Sequence, residues 1–217
     1  GIGDVDIVIH GKQVLADHWN SYEEIDFSKL PKRFVLKCNH DSGSVKVIED
    51  KEQIDHIELK KFFEGRLKMN SFHIGREYPY KDVKPCILAE QFMESDDDRG
   101  INDYKFFCFE GEPQMMFIAT ERSTDLRFDF YDMDFNHLDL YNLHPNSDRI
   151  LEKPSTFEEM KSLCRKLTKG MKFVRLDLYE IDGKIYFGEY TFFHGGGFHL
   201  FSPEKWEQSL GALIRLN

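Results

Sequence analysis

The sequence has few of the features that mark secreted or membrane-bound proteins. Only 4 of its 217 residues are cysteines, and they form neither a CxxC pair nor a zinc-ligand spacing. Cysteines placed in this way are typical of reduced core residues in a cytosolic protein. No apolar run approaches the roughly 18 to 20 residues of a membrane span, and the N-terminus lacks the basic and apolar regions of a signal peptide. We therefore expect a cytoplasmic protein without a membrane span.

Basic residues are also in the minority, with 29 Lys and Arg against 39 Asp and Glu and a formal net charge of -10. This balance disfavours a nucleic-acid partner, because binding to a phosphate backbone depends on clustered cations. The chain is nevertheless 41% hydrophobic, which is enough to bury the core of one large domain or two small subdomains. An anionic ligand would have to be bound by a few local cations.

Strand and helix patterns alternate along the chain, which indicates an α+β fold. A helix is predicted over residues 51–70, and a second helix is predicted to begin with a capping box of Ser155 and Glu158 and to end at Gly170. Its apolar face would consist of Met160, Leu163, Cys164 and Leu167. Strands are predicted over residues 5–10, 33–38, 45–48, 87–93, 173–181 and 184–192, with a loop over residues 71–85 and an antiparallel meander over residues 104–140.

The last strand pair carries polar residues in an unusual pattern. Strand alternation places Arg175 and Asp177 on one face and aliphatic residues on the other. Glu189 and Thr191 share a face of the next strand, together with Ile185 and Phe187. Two carboxylates, a hydroxyl and an arginine suit Mg2+ that bridges phosphate oxygens, but a solvated ion pair on an exposed sheet face fits as well.

The turn between these strands decides whether the two carboxylates can meet. A two-residue loop at Asp182 and Gly183 would place Asp177 and Glu189 on opposite faces if pairing continued regularly. We therefore predict an odd-numbered loop, of three residues, with Gly183 in a left-handed conformation beside a bulge. That loop would bring both carboxylates to one face.

Several other polar residues are unspecific when taken singly. Lys37 ends an apolar strand and precedes a small polar loop, which fits phosphate binding or an ordinary hairpin turn. Glu90 fits a ligand contact or an exposed strand end, and Asp103 and Lys105 fit a site or an exposed charged edge. Their order along the chain is the informative feature.

Read in order, these segments resemble the TupA-like ATP-grasp proteins, the teichuronopeptide-type ligases. The resemblance covers about residues 20–215 and includes the Glu-Glu-Ile-Asp-Phe approach at 23–27. Its segments are Phe-Val-Leu-Lys-Cys-Asn-His at 34–40, Gly-Arg-Glu-Tyr-Pro-Tyr at 75–80, Ala-Glu at 89–90, Asp-Tyr-Lys-Phe at 103–106, Phe-Val-Arg-Leu-Asp at 173–177 and Ile-Tyr-Phe-Gly-Glu-Tyr-Thr-Phe at 185–192.

This resemblance implies an α+β ATP-grasp fold, in which two α+β subdomains built mainly from antiparallel sheets clasp ATP. The first would span residues 1–93, with the phosphate hairpin, a helix and the hinge strand, and the second residues 94–217, with the metal and catalytic site. The residues that would bind the nucleotide are Lys37, Asn39, His40, Ser42, Gly43 and Ser44 at the phosphates, Glu90, Gln91, Phe92 and Met93 at adenine, Asp103 at the ribose and Lys105 toward the triphosphate.

The resemblance also implies the remaining roles. Asp177 and Glu189 would bind Mg2+, with Thr191 as a weaker third ligand because ATP-grasp enzymes commonly have Asn at its position. Arg175 would hold the reacting phosphoryl or acyl group. Gly195, Gly196 and Gly197 would border the acceptor site, while Arg122 and Arg127 are either γ-phosphate or substrate contacts or ordinary surface residues.

The implied activity is an ATP- and Mg2+-dependent ligation through an acyl phosphate. The acid would be a uronic acid of a surface polysaccharide or its precursor, and the amine an amino acid or peptide. The first twenty residues do not match the segment that family members have there, so we expect part of the substrate site to be missing. Two other functions stay open, namely an ATP-grasp kinase acting on a sugar hydroxyl and a nucleotide-binding module with little catalysis.

Overall fold

The computed structural model describes residues 10–11, 18–93, 100–121 and 125–215. Within these residues the chain forms two compact units, one from residues 18–93 and one that combines residues 10–11 with the chain from residue 100 onward. The strands are β1 (His10–Gly11), β2 (Phe34–Cys38), β3 (Val45–Ile48), β4 (Ile87–Gln91), β5 (Asp103–Phe109), β6 (Glu112–Thr120), β7 (Arg127–Asp132), β8 (Phe173–Ile181) and β9 (Lys184–Thr191). The α-helices are α1 (His56–Leu67), α2 (Ser71–Gly75), α3 (Phe157–Leu167) and α4 (Lys205–Gly211).

The first unit is a small antiparallel sheet, in the order β3-β2-β4, with a helix against one face. Helix α1 begins after Asp55, whose carboxylate accepts hydrogen bonds from the backbone N–H groups of Ile57 and Glu58. Its residues Leu59 and Phe63 pack with the inward residues of β2 and β4. The predicted hairpin is confirmed, whereas the predicted helix over residues 51–70 is shorter and the predicted loop contains α2.

The second unit is a six-stranded sheet in the order β1-β9-β8-β5-β6-β7. All neighbouring strands are antiparallel except β1, which pairs parallel to β9. The predicted meander is therefore confirmed as β5, β6 and β7. Strand β5 lies in the middle of the sheet, so Asp103 and Lys105 are buried. The interpretation of these two residues as an exposed charged edge is wrong. Of the strand predicted over residues 5–10, only residue 10 lies among the described residues.

Each face of this sheet has its own apolar core. Helix α3 covers one face with Met160, Leu163 and Cys164, which pack on alternate residues of the strands. The other face is covered by Leu140 and by side chains that follow β9 in the sequence, including Phe201 and Trp206. The catalytic candidates Lys105, Arg175 and Asp177 lie on this second face, because Phe107 of β5 and the paired Arg175 share its parity.

The predicted apolar face of α3 is confirmed, but its predicted capping box is wrong. Ser155 donates its hydroxyl hydrogen bond to Glu180 over 2.7 Å, so it does not cap the helix. Thr156 precedes the first helical residue without a side-chain cap bond, and Gly170 follows the helix with a positive φ of 80°. The four cysteines are buried with free thiols. None of the described helices is long and apolar enough to span a membrane.

Candidate active site

Strand β8 carries the centre of the candidate site. Val174, Leu176 and Leu178 point to the α3 core, so strand alternation turns Arg175 and Asp177 to the opposite face. Both side chains are buried there, and both belong to the second unit. A buried charge is stable only when it is paired and hydrogen-bonded, and both conditions are met.

Asp177 is the anion of a dense ion-pair network. Arg175 donates from Nε to Asp177 Oδ1 over 2.7 Å and from Nη2 to Asp177 Oδ2 over 2.8 Å. Lys105 lies directly opposite Asp177 on β5, and its Nζ contacts both Asp177 Oδ2 and Asp103, the latter over 2.7 Å. The structure thus brings together four residues that the sequence predicted separately.

Asp177 and Arg175 stabilise each other's charged forms. Burial alone would raise the pKa of Asp177, but the charges and hydrogen bonds of Arg175 and Lys105 hold it below its usual value. Burial would likewise lower the pKa of Arg175, and the carboxylate of Asp177 raises it instead. Two cations are therefore fixed on one sheet face, where they can meet an anionic group.

Glu189 lies directly across from Asp177 as predicted, and Gly183 has the predicted left-handed conformation, but the predicted three-residue loop is wrong. The turn has two residues, Asp182 and Gly183, with φ values of 51° and 69°. The pairing shifts after Asp177, where Gly188 is the extra residue of a β-bulge. The bulge, rather than an odd-numbered loop, brings the two carboxylates to one face. It also separates Ile185 and Phe187, which pack in the α3 core, from Glu189 and Thr191.

Gly188 is required by the close approach of the two strands. A Cβ atom there would lie 2.8 Å from the backbone oxygen of Asp177 and 3.0 Å from the ring of Tyr179. Gly188→Ala should therefore lower the free energy of unfolding by about 1 to 3 kcal/mol, measured by urea denaturation. Gly211→Ala is the matched control in the same unit, since no atom lies within 4 Å of its added Cβ. Equal stability of the two variants would contradict the strain at the bulge.

Glu189 differs from Asp177 in its surroundings. Its side chain is 66% exposed, and its carboxylate lies 3.7 Å from Nη2 of Arg175. Partial loss of solvent and the negative charge of Asp177 raise the pKa of Glu189. Thr191 lies beside it and accepts a hydrogen bond from Arg175 Nη2 over 2.8 Å. The hydroxyl of Thr191 thus orients the guanidinium, and its role as a metal ligand stays a prediction.

The donor set fits magnesium with two carboxylates. Asp177 and Glu189 present carboxylate oxygens on one face, and a Mg2+ ion is commonly bound by one or two carboxylates plus phosphate oxygens and water. In the described part of the chain no group of three or more His, Cys, Asp or Glu side chains forms a metal site. Further oxygen ligands would have to come from the nucleotide and from water.

His194 and Asn142 belong to the same network and were not predicted. Arg175 Nη1 donates to His194 Nδ1 over 2.7 Å, and His194 Nε2 lies 2.8 Å from Asn142 Oδ1. Burial and the nearby charge of Arg175 lower the pKa of His194 to about 3, so the ring is neutral at pH 7. The position of His194 directly before three glycines was the only sequence signal, and Asn142 gave none.

The three glycines predicted to border the acceptor site follow His194. Gly195, Gly196 and Gly197 all have positive φ values, of 58°, 66° and 79°. An added Cβ at Gly195 would lie 2.9 Å from the ring of His199, so this turn needs glycine for both conformation and space. The turn begins at the end of β9, beside the Arg175 network. Contact with a substrate remains a prediction.

In the first unit, Lys37 and Glu90 form an ion pair across neighbouring strands. They lie on the sheet face opposite α1, because Leu36 and Ala89 point to the α1 core. Gln91 ends β4, and Arg33 stacks over the ring of Phe92 at 4.0 Å from its centroid. Contacts of Glu90, Gln91, Phe92 and Met93 with adenine stay predictions.

The predicted phosphate loop is anchored at its ends. The side chain of Asn39 hydrogen-bonds to the backbone just before β4. It accepts a hydrogen bond from Cys86 N over 2.9 Å and donates one to Lys84 O over 3.0 Å. His40 is buried, with Nε2 at 3.0 Å from the backbone oxygen of Arg66, and the buried Ser44 donates to Asp41. The tip is exposed. Ser42 and Gly43 are therefore accessible to a ligand, whereas the buried side chains of His40 and Ser44 make hydrogen bonds within the protein.

Of the two further arginines predicted as substrate or phosphate contacts, Arg127 lies apart from this network. Arg127 pairs with Asp125 and donates from Nη1 to the backbone oxygen of Asn146 over 3.3 Å. It alternates with Phe128, which packs on the face of Asp177, so Arg127 points to the other face of the sheet. Arg122 lies outside the described residues.

Comparison with solved structures defines the fold class. The structure of D-alanine--D-alanine ligase from Bacillus anthracis is 19% identical, with a TM-score of 0.50 over 95% of this chain and 60% of that chain. A second structure, ATP-grasp ligase PsnB complexed with minimal precursor, Mg and ADP, is 14% identical, with a TM-score of 0.46 over 95% of this chain and 54% of that one. The chain thus spans little more than half of these proteins, and its fold is ATP-grasp.

The family follows from the sequence. The model of the TupA-like ATPgrasp family matches residues 10–215, which is nearly the whole chain. The chain therefore belongs to the TupA-like ATP-grasp family, and the resemblance found in its motifs is confirmed. ATP-grasp ligases use ATP and Mg2+. No curated protein sequence matches the chain.

Proposed function

We propose that this chain is the ATP- and Mg2+-dependent catalytic part of a ligase that joins a carboxylate to an amine. The observation that carries the proposal is the buried network of Lys105, Arg175 and Asp177 opposite the exposed Glu189. It combines fixed cations with oxygen ligands for a metal on one sheet face. Family membership and the ATP-grasp fold support the same reaction class.

Each residue of the network has a task in this reaction. The γ-phosphoryl group moves from ATP to a carboxylate oxygen, which releases ADP, and the amine then attacks the acyl carbon and displaces phosphate. Lys105 and Arg175 neutralise negative charge that develops during these steps. Asp177 and Glu189 would hold Mg2+, which supplies Lewis-acid neutralisation of phosphate oxygens. Neither step needs covalent help from the protein.

The nucleotide contacts belong to the same proposal. Lys37 and the loop of residues 39–44 would bind phosphates, residues 90–93 adenine, and Asp103 the ribose. The two units would act as the two subdomains, with a boundary between Met93 and Glu94 as predicted, but residues 10–11 belong to the second subdomain because β1 pairs with β9. The acid is proposed to be a uronic acid of a surface polysaccharide or precursor, and the amine an amino acid or peptide. The motif resemblance supports this choice of substrates.

Trapping with hydroxylamine tests the reaction class. Enzyme, Mg2+, ATP and an acid, with hydroxylamine in place of the amine, should yield a hydroxamate together with ADP and phosphate. Uronic acids and uronate-containing oligosaccharides are the first acids to try, with simple hexoses as controls that lack a carboxylate. If a phosphorylated sugar forms and no acid gives a hydroxamate, the ligase proposal is wrong and the activity is that of a kinase. If the chain binds ATP with Mg2+ but shows no turnover, it is a nucleotide-binding module with little catalysis.

A further inference from the structure

We infer that His194 is a positioning residue that orients the guanidinium of Arg175, so that one remaining N–H faces the reacting anionic group. This inference rests on the proposed ligase function and assigns a role that the motif resemblance does not contain. His194 comes from the turn after β9, whereas Arg175 is the third residue of β8. The contact therefore joins a loop to the sheet at the point where the cations are held.

The hydrogen bonds of Arg175 leave little freedom for its side chain. A guanidinium has five N–H groups in a planar fork. Asp177 accepts two of them, from Nε over 2.7 Å and from Nη2 over 2.8 Å. Thr191 accepts the second Nη2 hydrogen over 2.8 Å, and His194 accepts one from Nη1 over 2.7 Å. The fifth N–H, also on Nη1, has no partner among the residues that the structure describes, and it is the one available to a substrate.

The chemistry of the contact fixes the tautomer of His194. Arg175 can only donate, so Nδ1 of His194 must be the unprotonated nitrogen and Nε2 must carry the hydrogen. Nε2 then donates to Asn142 Oδ1 over 2.8 Å. Asn142 is itself fixed, since its Nδ2 donates to the backbone oxygens of His199 over 3.2 Å and Leu200 over 3.0 Å. The chain of hydrogen bonds therefore runs in one direction, from Arg175 to the loop.

Aromatic contacts hold the imidazole ring in this orientation. The ring lies edge-on to Phe107, with centroids 5.0 Å apart and planes at 82°, and it stacks on Phe201 with centroids 5.8 Å apart. Without the ring, Asp177 would still bind the Nε edge of Arg175, but the Nη1 end would lose its acceptor. A small misplacement of a positioned group can lower a rate by about 100-fold, so the loss should appear in kcat.

Nuclear magnetic resonance tests the geometry without any substrate. In histidine-labelled protein, the nitrogen spectrum should show His194 as the neutral Nε2–H tautomer. In arginine-labelled protein, the guanidinium signals of Arg175 should exchange slowly with water. His194→Leu should broaden the Arg175 signals, and His194→Asn, which is close to Leu in size but keeps an acceptor near the position of Nδ1, should preserve them. His199→Ala is the control from the same turn. Unchanged Arg175 signals in His194→Leu would overturn the inference.

Kinetics with ATP, Mg2+, an acid and hydroxylamine test the catalytic consequence. His194→Leu should lower kcat about 10- to 100-fold with little change in KM for ATP, and His194→Asn should restore most of kcat. In an Arg175→Lys background the further loss caused by His194→Leu should disappear, because both changes act on one group. Independent, multiplicative losses would overturn the inference.

The two hypotheses fail in different ways. If the wild-type protein forms no hydroxamate with any acid, the ligase proposal fails, and the resonance experiment alone decides the arrangement of His194 and Arg175. If hydroxamate forms equally fast in wild type and His194→Leu, the positioning role fails and the ligase stands. If His194→Leu does not fold, Asn142→Leu can be used in the same two experiments. This change removes the acceptor of His194 Nε2, so the imidazole ring is no longer held in place.

Discussion

Asp177→Asn is expected to abolish ATP-dependent turnover and also to destabilise the second unit. Asp177 is buried, and its two carboxylate oxygens pair with Arg175 and Lys105. An amide cannot neutralise these buried cations, and breaking a buried ion pair by removal of one partner lowers the free energy of unfolding by about 3 to 5 kcal/mol. The loss of a metal carboxylate should separately lower the rate by at least about 100-fold.

The two effects of Asp177→Asn can be separated experimentally. Urea denaturation gives the stability loss, and the hydroxamate assay is then run well below the variant's unfolding transition. We expect the protein to be folded under those conditions but inactive. Lys172, which pairs with Glu110 on the surface, offers a control, because Lys172→Gln removes an exposed ion pair worth little energy. Turnover near the wild-type rate in folded Asp177→Asn would refute the metal assignment.

Glu189→Gln is expected to lose turnover by about 100-fold or more while the fold remains intact. Its side chain is 66% exposed, so the substitution removes no buried charge. Its pKa is raised by partial loss of solvent and by the charge of Asp177, which means that neutralisation relieves repulsion in the free protein. The free energy of unfolding should therefore stay within about 0.5 kcal/mol of wild type.

The rate of Glu189→Gln should be measured over a series of Mg2+ concentrations. A weakened metal site predicts that higher Mg2+ recovers part of the activity, whereas a purely structural role predicts no such recovery. Glu159→Gln is the matched control, since Glu159 is an exposed glutamate on α3 in the same unit. An unchanged rate and an unchanged Mg2+ dependence in Glu189→Gln would exclude Glu189 as a ligand.

Much of the fold followed from local patterns in the sequence. The hairpin of β2 and β3, the meander of β5 to β7, the apolar face of α3 and the strand pair β8 and β9 all have hydrophobic periodicities that decide their structure. The capping box failed because Ser155 had a tertiary competitor, the carboxylate of Glu180. A sequence signature for a cap cannot show which other acceptors lie within reach.

The candidate site was predictable in composition but not in arrangement. Motif order singled out Lys105, Arg175, Asp177 and Glu189, yet local polarity left open whether Lys105 belongs to a site or to an exposed charged edge. Burial of Lys105 depends on β8 pairing with β5, a contact between strands about seventy residues apart in sequence. His194 and Asn142 were missed for the same reason, since their hydrogen bond joins residues that no local pattern relates.

The bulge at Gly188 changes which alternate residues of β9 face the α3 core. Before it, alternate residues of β9 serve the α3 core, and after it the same parity serves the face with Asp177. Odd-numbered residues of β9 can therefore supply both the apolar core and the candidate site, although the turn before the strand has only two residues. Without the bulge, regular pairing would place Gly188 opposite Asp177 and would turn Glu189 toward the apolar core. The alternation of side chains in a homologous hairpin is thus informative only when it is counted from the bulge, not from the turn.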